Sequence, residues 1–407
     1  MGQADFPPMR IAVLTETYPP EVNGVARTMG QVVEGLLARG HKVELTRPSR
    51  LAGRRDGVCA GERLTEHFVR GIPIPRYAEL QMGFASPASL ARRWRAARPD
   101  VVHVVTEGPL GWAAVIAARR LGIPLSSGFH TNFHAYSRHY GIGLFAGLVG
   151  RALRTLHNLC DATIVPTDEM RQALAARGFE RLAVVGRGID LGLFNPGRRS
   201  AALRAHWRCC GDEPVVLHVG RLAPEKNLRL FVEAALAVRQ ARPDARVVLV
   251  GDGPDAAALH AAHPEFIFAG TRRGADLAAH YASADLFLFP SVTETFGNVT
   301  TEALASGLAV AAYDYAAAHQ HIADGDSGLL APLGDEEAFV AAARTLALAP
   351  QTSARLRRNA VIVAGRLGWP KVIDELERVL AGVIAQPRRG FVAPVPEPDI
   401  LPKRETA

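Results

Sequence analysis

Short apolar segments alternate with helical segments along most of the chain, and this alternation restricts the possible folds more than any other feature. An apolar segment, a glycine-containing loop, a helical pattern and a second apolar segment follow one another over residues 10–45. Strands that alternate with helices in this way form a parallel sheet with helices on both faces. The pattern is interrupted over residues 192–214 and begins again at Val215. The sequence therefore predicts an α/β protein with two facing, doubly wound, Rossmann-like domains and a cleft between them.

The predicted domain limits follow from that interruption. Residues 9–194 are predicted to form the N-terminal domain and residues 195–365 the C-terminal domain. Glycine and proline interrupt the helical pattern after residue 364, and residues 366–386 are predicted as a C-terminal helix that packs back on the N-terminal domain. Residues 387–407 are rich in proline and have no apolar face, so we expect a disordered tail.

Basic residues are concentrated in the first half of the chain. Residues 1–195 contain 24 of the 47 Lys and Arg and 16 of the 40 Asp and Glu, which gives +8, whereas the remainder carries −1. An acidic substrate, an anionic membrane surface and nucleic acid are the partners that such a charge can attract. The arginines are scattered and are not interleaved with aromatic residues, which argues against nucleic acid.

Two helical segments carry part of this charge. Residues 144–158 and 86–98 each combine an apolar face with arginines. The residues concerned are Phe145, Leu148, Val149, Arg151, Leu153, Arg154 and Leu156 in the first segment, and Leu90, Arg92, Arg93, Trp94, Arg95 and Arg98 in the second. Either both apolar faces pack on the sheet and the arginines are solvated, or the basic surfaces hold the protein on an anionic membrane leaflet.

Cysteine usage and hydropathy bear on the compartment. The four cysteines form no Cys-x-x-Cys pair, which is typical of a reduced cytoplasm and indicates neither a disulfide framework nor a structural zinc site. No apolar run reaches the roughly 18 residues that a membrane-spanning helix needs. We expect a cytoplasmic protein, with peripheral contact at the inner face of the cell membrane as the further possibility.

The strongest candidate site lies in residues 284–307. An apolar strand ends at Pro290, Gly297 allows a close approach to a ligand, and a helical pattern begins at Asn298. A helix N-terminus after a strand presents free amides and a positive dipole end to an anion. Glu294 and Glu302 would repel a phosphate, so we expect them to bind neutral sugar or ribose hydroxyls. Alone, the two glutamates would more often belong to a solvated loop and an ordinary helix.

Three further loops are predicted at the same cleft, because each follows a strand. Gly24 lies at the tightest point of the loop after the first strand, and His130 follows the strand 124–128 at its carboxyl end. Arg221 and Lys226 lie in the loop after the strand 215–220, where two cations can clamp a diphosphate. Taken singly, these residues also fit an ordinary turn, a structural histidine and a surface ion pair.

At these residues the sequence resembles a known family, the retaining glycosyltransferases of family 4, which have the two-domain GT-B fold. The resemblance covers residues 9 to about 385. It rests on the segments 19–25, 130–131, 220–227, 251–254 and 290–302, whose combination is highly specific. The segment 130–141 is similar to a narrower group of GDP-mannose-dependent α-mannosyltransferases and sulfoquinovosyl- and glucuronosyl-diacylglycerol synthases.

The resemblance implies a role for each candidate residue. Arg221 and Lys226 hold the donor diphosphate and stabilise it as the leaving group. Glu294 binds hexose hydroxyls and is needed for turnover, Glu302 binds the ribose, and His130 contacts the transferred sugar. The remaining residues implied at the donor site are Gly24, Phe296, Gly297, Asn298 and Val299. Attack on the front face would retain the anomeric configuration without an enzymatic nucleophile or a cofactor.

These features together predict a function and leave alternatives open. The expected reaction moves a hexosyl group, with mannosyl preferred, from a nucleotide-diphosphate sugar to a lipid or glycan hydroxyl. The alternative donor is a UDP-sugar, with diacylglycerol as acceptor. An epimerase and a non-catalytic binding protein are the alternatives from other classes. Asp324 and Asp326 match the Asp-x-Asp motif of metal-dependent glycosyltransferases, but their glycine-rich context favours a turn, so no metal site is predicted.

Overall fold

The computed structural model describes residues 6–21, 23–49, 57–74, 77–130 and 146–386. Two sheets with helices on both faces confirm the α/β prediction. The predicted disordered tail 387–407 lies outside the described residues.

The N-terminal half contains a nine-stranded sheet in the order β3-β4-β2-β1-β6-β7-β8-β9, with β5 paired to β4. The strands are β1 (Arg10–Leu14), β2 (Lys42–Pro48), β3 (Gly57–Ala60), β4 (Leu64–Ile74), β5 (Tyr77–Phe84), β6 (Val101–Val104), β7 (Leu125–Gly128), β8 (Ala162–Val165) and β9 (Leu182–Val184). The helices are α1 (Gly24–Ala38), α2 (Pro87–Ala96), α3 (Pro109–Leu121), α4 (Ala146–Asn158) and α5 (Asp168–Ala175). Among the strands in the described part of this half, only β3 and β5 are antiparallel to their partner β4.

The second half contains a fully parallel six-stranded sheet in the order β12-β11-β10-β13-β14-β15. Its strands are β10 (Val215–Val219), β11 (Arg246–Val250), β12 (Ile267–Gly270), β13 (Leu286–Phe289), β14 (Ala309–Tyr313) and β15 (Leu329–Ala331). Its helices are α6 (Ala201–His206), α7 (Leu228–Ala241), α8 (Ala256–Ala262), α9 (Gly274–Ser283), α10 (Asn298–Ala305), α11 (Ala316–His321), α12 (Glu336–Leu348) and α13 (Pro350–Ala364).

Both sheets reverse their strand order beside the first strand, which places the site. The reversal lies between β1 and β6 in one sheet and between β10 and β13 in the other. Strands buried on both faces need apolar side chains in both directions, and β1 and β13 are buried along nearly their whole length. Ligands in such sheets bind outside the carboxyl ends of the strands at this reversal.

The last helix, α14 (Trp369–Ala385), leaves the second half and covers the first. The chain crosses between the halves twice, and the bridge between Ile189 and Gly368 joins the two crossings. Ile373 packs on Gly35 of α1, where a Cβ would lie 2.7 Å from the isoleucine side chain. His41 Nε2 lies 2.6 Å from the buried carboxylate of Glu377. This helix therefore completes the core of the N-terminal sheet.

The two basic segments differ in how they pack. In α2, Leu90 and Trp94 are fully buried, and Arg93 pairs with Glu44 at 2.8 Å, so Arg93 does not belong to a free basic surface. In α4, Leu156 is buried, but Leu148 and Val149 near its first turn are 61% and 42% exposed. Packing on the sheet is thus observed for α2 and for only one end of α4. Phe145 lies outside the described residues.

The Asp-x-Asp segment forms a turn in which both aspartates have protein partners. Asp324 Oδ1 accepts from Leu330 N at 2.8 Å, and Asp326 Oδ1 accepts from Asn359 Nδ2 at 2.9 Å. Gly325 has φ +71°, a conformation that glycine adopts readily. Neither aspartate lines the cleft between the domains. Within the described part of the chain, no helix is long and apolar enough to cross a membrane.

Candidate active site

A cleft of about 1080 Å³ lies between the carboxyl ends of the two sheets. Loops that follow β1, β6, β7 and β9 form one wall, and loops that follow β10, β11, β12 and β13 form the other. All the candidate residues line it, namely Gly24, His130, Arg221, Lys226, Glu294, Phe296, Gly297, Asn298, Val299 and Glu302. The fold therefore brings into one site residues that are far apart in the sequence, such as Gly24 and Glu302, which are separated by 278 positions.

The N-terminus of α10 points its free amides into this cleft. β13 ends at Phe289, Pro290 follows, and Gly297 adopts φ +93° immediately before the helix. A Cβ at this angle would be strained, which explains a glycine here. No side chain caps the first turn. The amides of Asn298 and Val299 therefore remain available to an anion, as the first N–H groups of a helix have no intrahelical partner.

Lys226 and Glu294 form an ion pair in the cleft. Lys226 Nζ donates to Glu294 Oε1, which also accepts from Ser291 Oγ at 2.6 Å. Tyr315 donates to the main-chain oxygen of Glu294 at 2.9 Å. These contacts fix both the backbone and the carboxylate of Glu294 beside a cation.

Glu302 is held from both domains. Arg27 Nη1 from α1 lies 2.6 Å from Glu302 Oε1, and Tyr281 donates to Oε2 at 2.9 Å. The side chain is only 6% exposed. Burial raises the pKa of Glu302, while Arg27 and Tyr281 act in the opposite direction. The ion pair links the N-terminal half to the C-terminal half across the cleft.

Arg221 is placed differently from Lys226. Its side chain is 53% exposed, and its Nη1 lies 3.4 Å from Oε1 of Glu225, four residues further along the chain. Such an exposed pair is weak, because water screens both charges. Arg221 can therefore exchange Glu225 for a phosphate at little cost.

His130 follows β7 at the floor of the cleft, beside two further histidines. Burial lowers its pKa well below the usual value, and Arg187, His103 and His157 lower it further. The imidazole is therefore neutral at pH 7. The segment that follows, 131–145, lies outside the described residues.

Comparison with known proteins matches both halves to glycosyltransferases. Residues 22–193 match the family described as "Glycosyltransferase Family 4", and residues 213–348 match "Glycosyl transferases group 1". A GDP-mannose-dependent alpha-mannosyltransferase of Mycobacterium tuberculosis is 36% identical over 369 residues, which cover 90% of this chain and 95% of that protein. The chain belongs to glycosyltransferase family 4. This membership decides against the epimerase and the non-catalytic alternatives.

Other similar proteins agree with this assignment of the glycosyltransferase. The sulfoquinovosyl transferase SQD2 of Arabidopsis thaliana is 32% identical over 357 residues. The match covers 83% of this chain and 67% of SQD2. The structure of a sucrose-phosphate synthase from Thermosynechococcus elongatus superposes with a TM-score of 0.75 at 20% identity, covering 93% of this chain and 99% of that chain. At such identity, the superposition shows the shared GT-B fold.

Charged residues that line the cleft of this glycosyltransferase but are not singled out by the sequence include Arg27, Arg187 and Glu16. Arg27 and Arg187 gave no local signal, because their partners come from distant segments. Glu16 lies in the loop after β1, in which the sequence singles out only Gly24. Its position after a strand was the one signal that could have identified it.

The Glu16 carboxylate is held by backbone amides of the N-terminal domain. Oε1 accepts from Gly83 N at 3.0 Å, and a Cβ on Gly108 would lie only 2.1 Å from Oε2. Gly108 therefore lets the carboxylate reach the first turn of α3. Burial raises the pKa of Glu16 to about 7, although hydrogen bonds from the backbone of Gly83 and Leu110 lower it.

Glu16→Gln is expected to stabilise the glycosyltransferase at alkaline pH. The raised pKa means that the folded state binds the Glu16 proton more tightly than the unfolded state does. The contribution of Glu16 to the free energy of unfolding is fully present below pH 4.5 and is lost as the pH rises through about 7. The cost above pH 7 is about 3 kcal/mol. We expect Glu16→Gln to raise the free energy of unfolding in urea at pH 8 and to change it little at pH 4.5. An equal change at both pH values would contradict the assignment.

Proposed function

We propose that the enzyme transfers a mannosyl group from GDP-mannose, with retention of configuration, to a hydroxyl of a lipid or glycan. The observation that carries this proposal is the arrangement of Lys226, Arg221 and the N-terminus of α10 around one cleft, with Glu294 beside them. The similarity to GDP-mannose-dependent alpha-mannosyltransferases over almost their full length supports the donor.

The positive groups of the cleft act on the leaving diphosphate. Charge accumulates on the diphosphate as the bond to the sugar breaks, so fixed cations and amides there stabilise the transition state more than the ground state. Lys226 and Arg221 supply the cations, and Gly24, Asn298 and Val299 supply the amides. Because Lys226 already pairs with Glu294, the donor shares or replaces this ion pair when it binds.

The two carboxylates bind the neutral parts of the donor. Glu294 accepts from hexose hydroxyls and orients the anomeric carbon, and Glu302 accepts from the ribose hydroxyls in competition with Arg27. The acceptor oxygen attacks the face that the diphosphate leaves, and its proton passes to the departing phosphate oxygen. His130, which is neutral, can hydrogen-bond a hydroxyl of the transferred sugar without adding charge.

A donor screen tests this proposal. The purified enzyme is incubated with GDP-mannose, UDP-glucose, UDP-galactose, UDP-glucuronate and UDP-sulfoquinovose, each with membrane lipids and with soluble glycans as acceptors. Parallel reactions contain EDTA or Mg²⁺. We expect a mannosylated product that keeps the α configuration. Product from a UDP-sugar alone would reject GDP-mannose as the donor.

A UDP-sugar-dependent diacylglycerol glycosyltransferase is the second candidate, with a glucosyl, glucuronosyl or sulfoquinovosyl group transferred. It is favoured by the similarity to SQD2 and by a relative from Acholeplasma laidlawii, an alpha-monoglucosyldiacylglycerol synthase that is 28% identical over 324 residues. The same screen separates it from the first candidate, because the two differ in both donor and product.

We further propose that the enzyme binds anionic membranes through α4. Leu148 and Val149 are exposed there, and Arg151 and Arg154 are exposed on the same helix. An amphipathic helix inserts apolar side chains at the headgroup boundary, while arginines contact anionic lipid. Each charge near the surface contributes about 1 kcal/mol. The net +8 of residues 1–195 favours the same orientation.

Vesicle sedimentation tests the membrane proposal. We expect binding to vesicles that contain phosphatidylglycerol and not to neutral phosphatidylcholine vesicles, with weaker binding at high salt as screening requires. The double variants Leu148→Ser/Val149→Ser and Arg151→Glu/Arg154→Glu should each reduce binding. Arg92→Glu/Arg95→Glu, on the exposed side of α2, is the matched charge control. If all variants bind anionic vesicles as well as wild type does, the membrane contact does not involve α4.

A further inference from the structure

Arg187 is a buried cation in the wall of the cleft. It lies in the turn that follows β9, and the residue is only 9% exposed. Its Nη2 lies 3.5 Å from His130 Nδ1, and its guanidinium carbon lies 5.9 Å from the centre of the Phe296 ring. Its Nη1 would be 3.6 Å from a Cβ on Gly24. The side chain therefore projects from the N-terminal half toward the proposed diphosphate.

No carboxylate of the described residues forms an ion pair with Arg187. Four other cations of the cleft have one: Arg27 pairs with Glu302, Arg221 with Glu225, Lys226 with Glu294, and Arg272 with Asp276. Glu294 attracts Arg187 electrostatically, but Lys226 and Ser291 already bind that carboxylate. Burial lowers the pKa of Arg187 to about 10, which leaves it charged at neutral pH. A buried charge without a counter-charge is costly, and an anionic ligand beside Arg187 would offset that cost.

Two helix N-termini meet at Arg187. α1 begins at Gly24 in one half and α10 begins at Asn298 in the other. A Cβ on Gly24 would lie 3.9 Å from Asn298 Nδ2, so the two helix ends are close together. Each end carries free amides and a positive partial charge. Positive groups that converge from both halves define a site for an anion.

Unsatisfied polar atoms mark the same place. Arg187 Nε, His130 Nε2 and Asn298 Oδ1 are buried and have no hydrogen-bond partner among the described residues. Buried polar groups are rarely left unpaired in a folded protein unless a ligand or water pairs with them. These atoms on neighbouring side chains are free to bind a polar ligand or water, which agrees with an anion beside Arg187.

We propose that Arg187 binds the donor phosphate that carries the leaving oxygen, as a third cation beside Lys226 and Arg221. This inference rests on the proposed glycosyl transfer but not on the choice of base. As the bond between the anomeric carbon and the phosphate oxygen breaks, its electron pair passes to that oxygen. The acceptor oxygen bonds to the anomeric carbon, and its proton moves to the same phosphate. Arg187 donates hydrogen bonds to this phosphate as its charge grows.

The cations proposed at the leaving phosphate come from both halves of the enzyme. Lys226 and Arg221 belong to the C-terminal half, whereas Arg187 belongs to the N-terminal half. The proposed phosphate site is therefore complete only where the two halves meet.

Calorimetry with nucleotides of different length tests this role. The phosphate that bears the sugar is the second phosphate of the nucleotide, so GDP contains it and GMP does not. Arg187→Gln should weaken GDP binding roughly tenfold to hundredfold, as for loss of a charged hydrogen bond, and should leave GMP binding unchanged. It should lower kcat with the best donor by a similar factor. Arg187→Lys should be intermediate, because it keeps the charge but not the paired donors. Arg344→Gln, at an exposed position on α12, is the matched control.

Several results would overturn the inference. Equal GDP affinity in Arg187→Gln and wild type would exclude a phosphate contact. A raised KM for the acceptor with unchanged GDP binding would show that Arg187 binds an anionic group of the acceptor. The same measurements are made with UDP and UMP. If the enzyme uses a uridine donor, UDP will bind better than GDP, but Arg187→Gln should still weaken binding of the diphosphate and not of the monophosphate.

Thermal unfolding distinguishes ligand binding from a structural role. Because Arg187 lacks a counter-charge, Arg187→Gln should unfold at the same or a higher temperature than wild type without nucleotide. The rise in unfolding temperature on adding GDP should be smaller in the variant. If Arg187→Gln is destabilised without nucleotide, or does not fold, the residue serves stability and the inference fails.

Discussion

Glu294→Gln is expected to lower kcat at least a hundredfold, equivalent to about 3 kcal/mol of transition-state stabilisation, and to leave nucleoside diphosphate binding near normal. The carboxylate is fixed by Lys226 and Ser291, so its charge and direction are set before the donor arrives. The amide of glutamine keeps the size but weakens both the ion pair and the acceptance of sugar hydroxyls. Steady-state kinetics and calorimetry with GDP measure the two effects separately.

Glu302→Gln is the informative comparison, because it should show the opposite pattern. It removes the negative charge that pairs with Arg27 and leaves a weaker, neutral acceptor for the ribose, so GDP binding should weaken more than kcat falls. Glu233→Gln, an exposed carboxylate on α7 that pairs with Arg229, should change neither quantity. If Glu294→Gln weakens nucleotide binding and Glu302→Gln abolishes turnover, the two roles are interchanged.

Lys226→Ala should also lower the rate by about two orders of magnitude, since it removes a cation from the leaving diphosphate. The same is expected of Arg221→Ala. Lys226 carries an added effect, because its removal leaves Glu294 without its cation. The double variant Lys226→Ala/Glu294→Gln should therefore be less impaired than the product of the single effects, as is typical of residues in contact.

Rates in single-turnover reactions separate this chemical step from product release. Arg229→Ala, which removes an exposed cation outside the cleft, is the control for general charge loss. Unchanged turnover in both Lys226→Ala and Arg221→Ala would reject the diphosphate assignment for this loop. Multiplicative effects in the double variant would show that the contact between Lys226 and Glu294 has no part in catalysis.

The fold and the location of the candidate residues in one cleft could be predicted because they follow from strand order. Apolar segments identified the strands, and the carboxyl ends of parallel strands share one edge of a sheet. Gly24, His130, Lys226 and Glu294 could thus be assigned to one cleft before any contact was known. Their pairwise contacts could not, since the relative placement of two sheets depends on side-chain packing across the cleft.

Arg187 and Arg27 show what a linear pattern lacks. Nothing in the sequence around Arg187 reveals that Phe296 from the other half packs against it. Arg27 lies on α1, and its partner Glu302 is 275 residues away in the sequence. The exposed Leu148 and Val149 illustrate the same limit, as helical periodicity identifies an apolar face but not what covers it.

The position of α14 bears on how this enzyme can be divided into fragments. Ile373, Leu376 and Leu380 are buried against the N-terminal sheet, and each contributes roughly 1.5–3 kcal/mol through burial. A fragment that stops at the first crossing would expose this apolar surface and should aggregate. To fold, the N-terminal fragment would need α14, either added as a separate peptide or joined to it by circular permutation. The N-terminal sheet and α14 share one hydrophobic core, and the C-terminal sheet is inserted in the chain between them.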